Sequence, residues 1–340
     1  MMESYKKTLA GWASGTAHGD AGGTGARVVV TAVPGQVEAL RAAGLVGEGT
    51  TVYTPDGQEG TWGYDGSLEE PYGEVLVAGE FSLQVVPYAL GRYIPVGGPT
   101  LLRVTETSDL EAYLSDADEA FTTGRFPGLV AGPTTLLADE PALGGWTGRG
   151  GPGDRLWVRA DGEVSTSPWG APLGTADDPL DALVVRWAAA NDAGTPCAVA
   201  LSRAVSDDER AAAFTERPWL GQYVKTLGVL RALAARGVDS ARASGFGGRL
   251  DGALDGVPAG PGAPAPVLCW DAHHAYLSDA GRTVQIAHPL AVTVERILVL
   301  GHGAADLLGA AELDRVATYF ADAGFPLLPA ACAAGLPVAG

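Results

Sequence analysis

Few residues in this chain are suited to chemistry. Histidine occurs five times, as His18, His273, His274, His288 and His302. Asp271-Ala272-His273-His274 places two adjacent imidazoles beside a carboxylate, the donor types of a divalent-metal site. Neighbouring side chains on a strand leave from opposite faces, so both rings could meet one ion only from a turn. Solvated turn histidines are therefore the expectation. Cys197, Cys269 and Cys332 are odd in number and widely spaced, which fits neither a disulfide framework nor a zinc knuckle. Glycine-rich runs raise the question of phosphate binding. A dinucleotide fingerprint follows a strand and opens a helix. Here Gly22-Gly23-Thr24-Gly25 precedes its strand, and no helix start follows Gly245-Phe246-Gly247-Gly248, so both read as flexible turns. Neither a G-x-x-x-x-G-K-S/T loop nor a G-x-S-x-G elbow occurs. Asp207-Asp208-Glu209 stands at a helix start, where acidic groups meet the positive end of the dipole. The sequence nominates no catalytic residue, no metal site and no cofactor.

The elements around these residues alternate between strand and helix. Tyr5, Leu9 and Trp12 mark one face of a helix over 4–12. The β-branched run 27–31, a helix over 34–44 opened by Pro34 and closed by Gly44, and a strand at 51–53 form a βαβ unit. Further strands are predicted at 74–77, 82–86 and 101–105. A helix over 108–121 follows, with Ser108 and Glu111 as its capping box. A hairpin joins 156–159 to 164–167 through Asp161-Gly162. Beyond it come a helix from Pro179 to about Asn191, a strand Ala198-Val199-Ala200-Leu201, and helices over 206–214 and 219–236. Gly/Pro-rich stretches at 144–153 and 252–266 read as joints. They suggest an N-terminal α/β domain (1–145), a middle α/β region (154–251) that stands alone or continues the first, and a C-terminal domain (265–330).

That last domain is the informative one. Strands are predicted at 267–270, 275–278 and 283–287, then helices from Pro289, at 304–308 and at 311–323. This is a winged-helix-like βββααα layout, whose third helix usually reads DNA. Here that helix carries Glu312, Asp314 and Asp322 against Arg315 alone, a sign that phosphates repel. A third strand at the sheet margin offers unpaired N–H and C=O groups, onto which an extended peptide can add as a further strand. The candidate contacts are Arg282, Thr283, Val284, Gln285, Ile286 and Ala287 along the margin. Glu312, Arg315, Val316 and Tyr319 are candidates from the third helix, with Phe320 expected in the core.

The segment from Pro266 to Leu328, with Pro289-Leu290-Ala291-Val292-Thr293-Val294-Glu295-Arg296-Ile297-Leu298 after three strands, resembles the PqqD-like peptide-recognition domains. Those domains bind leader peptides of ribosomally made, post-translationally modified peptides. Arg217-Pro218-Trp219-Leu220-Gly221-Gln222-Tyr223 and Ser244-Gly245-Phe246-Gly247-Gly248-Arg249-Leu250 make the whole chain similar to recognition proteins encoded with daptide biosynthetic enzymes in actinobacteria. The resemblance implies a non-catalytic partner that presents a precursor peptide to an oxidative decarboxylase, an aminotransferase and a methyltransferase. It carries over no catalytic residue. Docking those enzymes is a role that suits the size of the first ~250 residues.

Composition sets the outer limits. The 340 residues carry a formal charge of −18, with 18% charged and 46% apolar positions. Such a chain is globular, exceeds what one core serves, and repels nucleic acid and anionic membrane surfaces. No apolar run is long enough to span a bilayer, and Met1-Met2-Glu3-Ser4-Tyr5-Lys6-Lys7 precedes no signal-like segment, so the cytoplasm is the expected compartment. Two other classes stay open at this level: an enzyme of such a pathway centred in residues 1–250, and a winged-helix transcriptional regulator.

Overall fold

A computed structural model describes residues 2–16, 25–55, 57–94, 97–144, 150–191, 198–257, 266–279 and 281–328. Gly22-Gly23-Thr24, His18, Cys197, Cys332 and the middles of both joints lie outside the described residues. The chain divides into two compact units, Met1–Asp118 with Phe126–Leu227, and Glu119–Arg125 with Gly228–Gly340. Among the described residues no helix is long and apolar enough to cross a membrane.

The first unit is mixed α/β. Its strands are β1 (Val28–Thr31), β2 (Thr51–Pro55), β3 (Trp62–Gly66), β4 (Glu74–Val77), β5 (Phe81–Pro87), β6 (Thr100–Arg103), β7 (Thr135–Leu137), β8 (Arg155–Val158), β9 (Glu163–Ser165) and β10 (Gly174–Thr175). They form one sheet in the order β10-β9-β8-β1-β2-β3-β4-β5-β6-β7. The neighbours β8, β1, β2 and β3 run parallel, as do β5, β6 and β7, whereas β4 opposes both its neighbours. The glycine-rich stretch at 144–153 does not end this sheet: Arg155 beyond it pairs with Val28. Residues 155–175 thus add three strands to the first unit's sheet, whereas 228–251 fall in the second unit.

Helices α1 (Met2–Ser14), α2 (Val37–Ala42), α3 (Tyr88–Gly91), α4 (Thr107–Thr123), α5 (Leu180–Asn191), α6 (Ala198–Leu201), α7 (Asp207–Glu216) and α8 (Leu220–Ala234) accompany the strands. The period-2 alternation of a strand sorts β1 between two cores. Val28 and Val30 pack with Tyr5, Leu9 and Trp12 of α1, while Val29 packs with Val37 and Leu40 of α2 and Leu183 of α5. Polar tips of the buried aromatics find backbone acceptors. Trp12 Nε1 donates to Leu156 O at 3.0 Å, and the Tyr53 hydroxyl donates to Tyr5 O at 2.6 Å. Past β7, Asp139 pairs with Arg155 of β8 at 2.8 Å, both side chains fully enclosed. Since β7 is a sheet edge and β8 lies near the other, the sheet must curl.

Three expectations are corrected here. Pro34 lies in a turn and does not open α2, which begins at Val37 after Gln36. Ala198–Leu201 is a helical turn, not a strand; four apolar residues carry no period, and Ala favours helix. Ser108 is not an N-cap, because α4 already includes Thr107 and the Ser108 hydroxyl donates to Glu106 Oε1 at 2.6 Å. Asp109 in the first turn of α4 reaches back to accept from Thr105 N (2.9 Å) and across to Ala89 N of α3 (2.8 Å). A full capping box opens α7: Ser206 Oγ accepts from Glu209 N, and Glu209 Oε2 accepts from Ser206 N. Ser206→Ala should lower stability by about 1 kcal/mol in a urea unfolding series.

The second unit holds a four-stranded antiparallel sheet in the order β11 (Arg242–Ala243), β12 (Val267–Trp270), β13 (Ala275–Asp279), β14 (Arg282–Ile286). The three expected strands are present, and two-residue β11, too short to show a pattern, adds to the β12 side. Helices α9 (His288–Leu300), α10 (Ala305–Leu308) and α11 (Ala310–Asp322) follow. Leu268 and Leu277 of the sheet pack with Ala291, Val294 and Ile297 of α9 and with Leu313, Val316 and Phe320 of α11.

Candidate functional site

Strand β14 is the free edge of this sheet. It pairs with β13 from Asp279↔Arg282 to Ala275↔Ile286, and with no other strand among the described residues. Antiparallel residues alternate between bonding one neighbour and the other. Asp271 N donates to His274 O at 2.9 Å, which fixes the phase of the β12–β13 hairpin. From there Tyr276 and Ser278 bond toward β12, and Ala275, Leu277 and Asp279 bond toward β14. On β14, Arg282, Val284 and Ile286 therefore bond inward. Thr283 and Gln285 turn their N–H and C=O groups away from the sheet.

Side chains follow the same phase. Val284 and Ile286 pack against the core, whereas Gln285 and Ala287 are exposed. Thr283 Oγ1 sits 3.0 Å from Ser278 Oγ across the pair. Arg282 anchors the beginning of the edge to the turn after α11: its Nη2 donates to Ala323 O at 2.9 Å, and the guanidinium lies 5.1 Å from the Phe325 ring centroid. Gly324 makes that contact possible, having φ +82° and no room for a Cβ, which would sit 2.4 Å from Arg282 Nη1.

The four α11 candidates separate. Tyr319 is 65% exposed, with its ring edge-on to buried Phe320 at 5.3 Å. Val316 is a core residue packed with Leu313 and Phe320. Arg315 and Glu312 are engaged with each other through contacts of 2.5–3.0 Å, and this pairing raises the Arg315 guanidinium above its ordinary pKa. The only cation of α11 is thus already answered by its own helix.

Asp271, His273 and His274 form a turn. Asp271 Oδ1 accepts both histidine amides at 2.7 Å, and Oδ2 accepts the Tyr276 hydroxyl at 3.1 Å. The two amide bonds, chiefly that of His273, hold the carboxyl below its usual range. A depressed carboxyl contributes stability above its unfolded value near ~3.9, and loses it as pH falls through the lower folded value. The His273 and His274 amide resonances should therefore shift together as the Asp271 carboxylate protonates on acidification below about pH 4. No group of three or more metal-ligating side chains occurs among the described residues. Cys269 is buried, which pushes its thiol up to about 12 and removes it from thiolate chemistry.

Glycine-rich 245–248 packs tightly. Gly247 N donates to Phe121 O at 3.0 Å, its φ is +67°, and a Cβ there would lie 2.2 Å from Gly124 N. This is a close backbone approach, not a flexible turn. The same loop is tied to α9 by a residue the sequence reading passed over. Glu295, fully buried, accepts from Ser244 Oγ (2.6 Å) and Leu250 N (3.0 Å) through Oε1, and from Asp251 N (2.6 Å) through Oε2. Its signal was legible: Glu295 lies four residues after Ala291, on the stripe of α9 that faces the core. No family model matches the chain, and no curated protein or solved structure matches it.

Proposed function

We propose that the chain is a recognition protein that binds the leader of a ribosomally made precursor peptide by strand addition to β14. On this reading residues 265–330 are a PqqD-like, winged-helix-like domain. The first unit would serve the modifying enzymes, an oxidative decarboxylase, an aminotransferase and a methyltransferase. The observation that carries the reading is the edge itself, with Thr283 and Gln285 directing main-chain groups outward. Two main-chain positions spaced by one inward residue match the alternate bonding of an added strand. The charges of α11, three acidic groups and an arginine bound to one of them, weigh against phosphate readout.

The test is fluorescence anisotropy of a labelled precursor leader with the purified chain. Saturable binding is expected, with no chemical change in the precursor while the chain is alone. Arg315→Glu should weaken binding no more than about fivefold, as exposed pairs do. A leader that does not bind, or is modified by this chain alone, contradicts the proposal.

A further inference from the structure

An exposed strand edge is a template for any extended chain, a second copy of the same strand included. Proteins block such edges with proline, lysine or a bulge. Strand β14, Arg282-Thr283-Val284-Gln285-Ile286, holds none of these among its five residues, and its pairing with β13 runs through five consecutive positions without a bulge. Its one charge is turned back on the fold: Arg282 donates to Ala323 O and lies over the Phe325 ring. Thr, Val and Ile are residues that favour strands.

The edge is also complementary to itself. Antiparallel pairing about a twofold axis at Val284 sets Thr283 opposite Gln285 of a second copy, and Gln285 opposite its Thr283. Both outward-facing residues of each copy are then used, and each pair exchanges two main-chain hydrogen bonds. An axis at Thr283 or at Gln285 would set one of them opposite a residue beyond the strand, Gly281 or Ala287. In the register centred on Val284, valine meets valine and Arg282 meets Ile286, so no like charges face each other.

We propose that β14 pairs antiparallel with β14 of a second copy of this chain, forming a weak dimer that closes the edge until a leader displaces it. Four main-chain bonds with little apolar area give a dissociation constant on the order of 0.1 mM. Each copy carries a net charge of −18, so the copies repel, and salt strengthens the dimer by screening that repulsion. Release by a leader depends on the proposed recognition role; pairing of two copies does not.

The test is sedimentation velocity of the full chain from about 5 µM to about 1 mM, with amide exchange at both ends of that range. At about 5 µM a monomer with fast exchange at Thr283 and Gln285 is expected, and near about 1 mM mostly dimer with both amides protected. Raising salt from about 0.05 to about 0.5 M should tighten the dimer at least about threefold. Gln285→Pro should weaken it at least about tenfold with an unchanged thermal melt, whereas Gln285→Ala, which keeps the main chain, should stay within about fivefold of wild type. Saturating labelled leader should return the dimer to monomers, each with one peptide. A wild-type monomer at about 1 mM in high salt, a Gln285→Pro dimer as tight as wild type, or a leader that binds without dissociating the dimer overturns the proposal. A dimer lost in Gln285→Pro, from a chain that binds no leader at all, supports the pairing of copies and removes the leader instead.

Discussion

Gln285→Pro should leave the protein folded and weaken leader binding at least about tenfold. The Gln285 N–H points away from β13, so proline there removes no bond of the native ladder. It does remove a donor from an added strand, worth about 1 kcal/mol, and its ring obstructs the neighbouring pairing. Val284→Pro supplies the contrast. The Val284 N–H faces β13, so proline at that position takes a ladder bond from the hairpin and costs about 1–3 kcal/mol of stability. One variant should lose binding with its melting curve intact, and its neighbour should lose stability. Equal effects at the two positions would remove the basis for an outward-facing Gln285.

Glu295→Ala should destabilise the second unit by about 3–5 kcal/mol, the cost of breaking a buried charged network. Ser244 Oγ and the amides of Leu250 and Asp251 would all lose their acceptor. The neighbouring Arg296–Asp251 pair at 2.7 Å and the packing of Leu250 on the core would then still tie that loop to α9. Glu295→Gln keeps the length but turns an amide donor toward other donors, so an intermediate loss of about 1–3 kcal/mol is expected. Urea unfolding read by hydrogen exchange across 267–286 measures both. A loss below about 1 kcal/mol for the alanine variant would mean that the loop is held by something other than Glu295.

Much of this architecture was legible because a period was present. Tyr5, Leu9 and Trp12 fall on one helical face, and all three are buried. The run at 28–31 and the strands of 267–286 were equally readable. Elements too short for a period were not. Thr135–Leu137, Gly174–Thr175 and Arg242–Ala243 offer three or two residues each, and Trp62–Gly66 is interrupted by glycine. Ala198–Leu201 was assigned to the wrong element for the same lack of a period.

The candidate site divides along similar lines. An edge strand could be placed from its alternation and from Pro289 after it. Which alternate residues face outward depends on the single bond from Asp271 N to His274 O, and no composition rule supplies that phase. Val316 and Tyr319 are three residues apart on α11, yet one is core and the other exposed, because the helix meets the sheet along the Leu313–Val316–Phe320 stripe.

Amide hydrogen exchange along β14 tests the central claim most directly. In the free protein Thr283 and Gln285 should exchange fast while Val284 and Ile286 are protected, and leader binding should protect Thr283 and Gln285 as well. Protection of Thr283 and Gln285 before any peptide is added, or no gain in protection when the leader is bound, would contradict it.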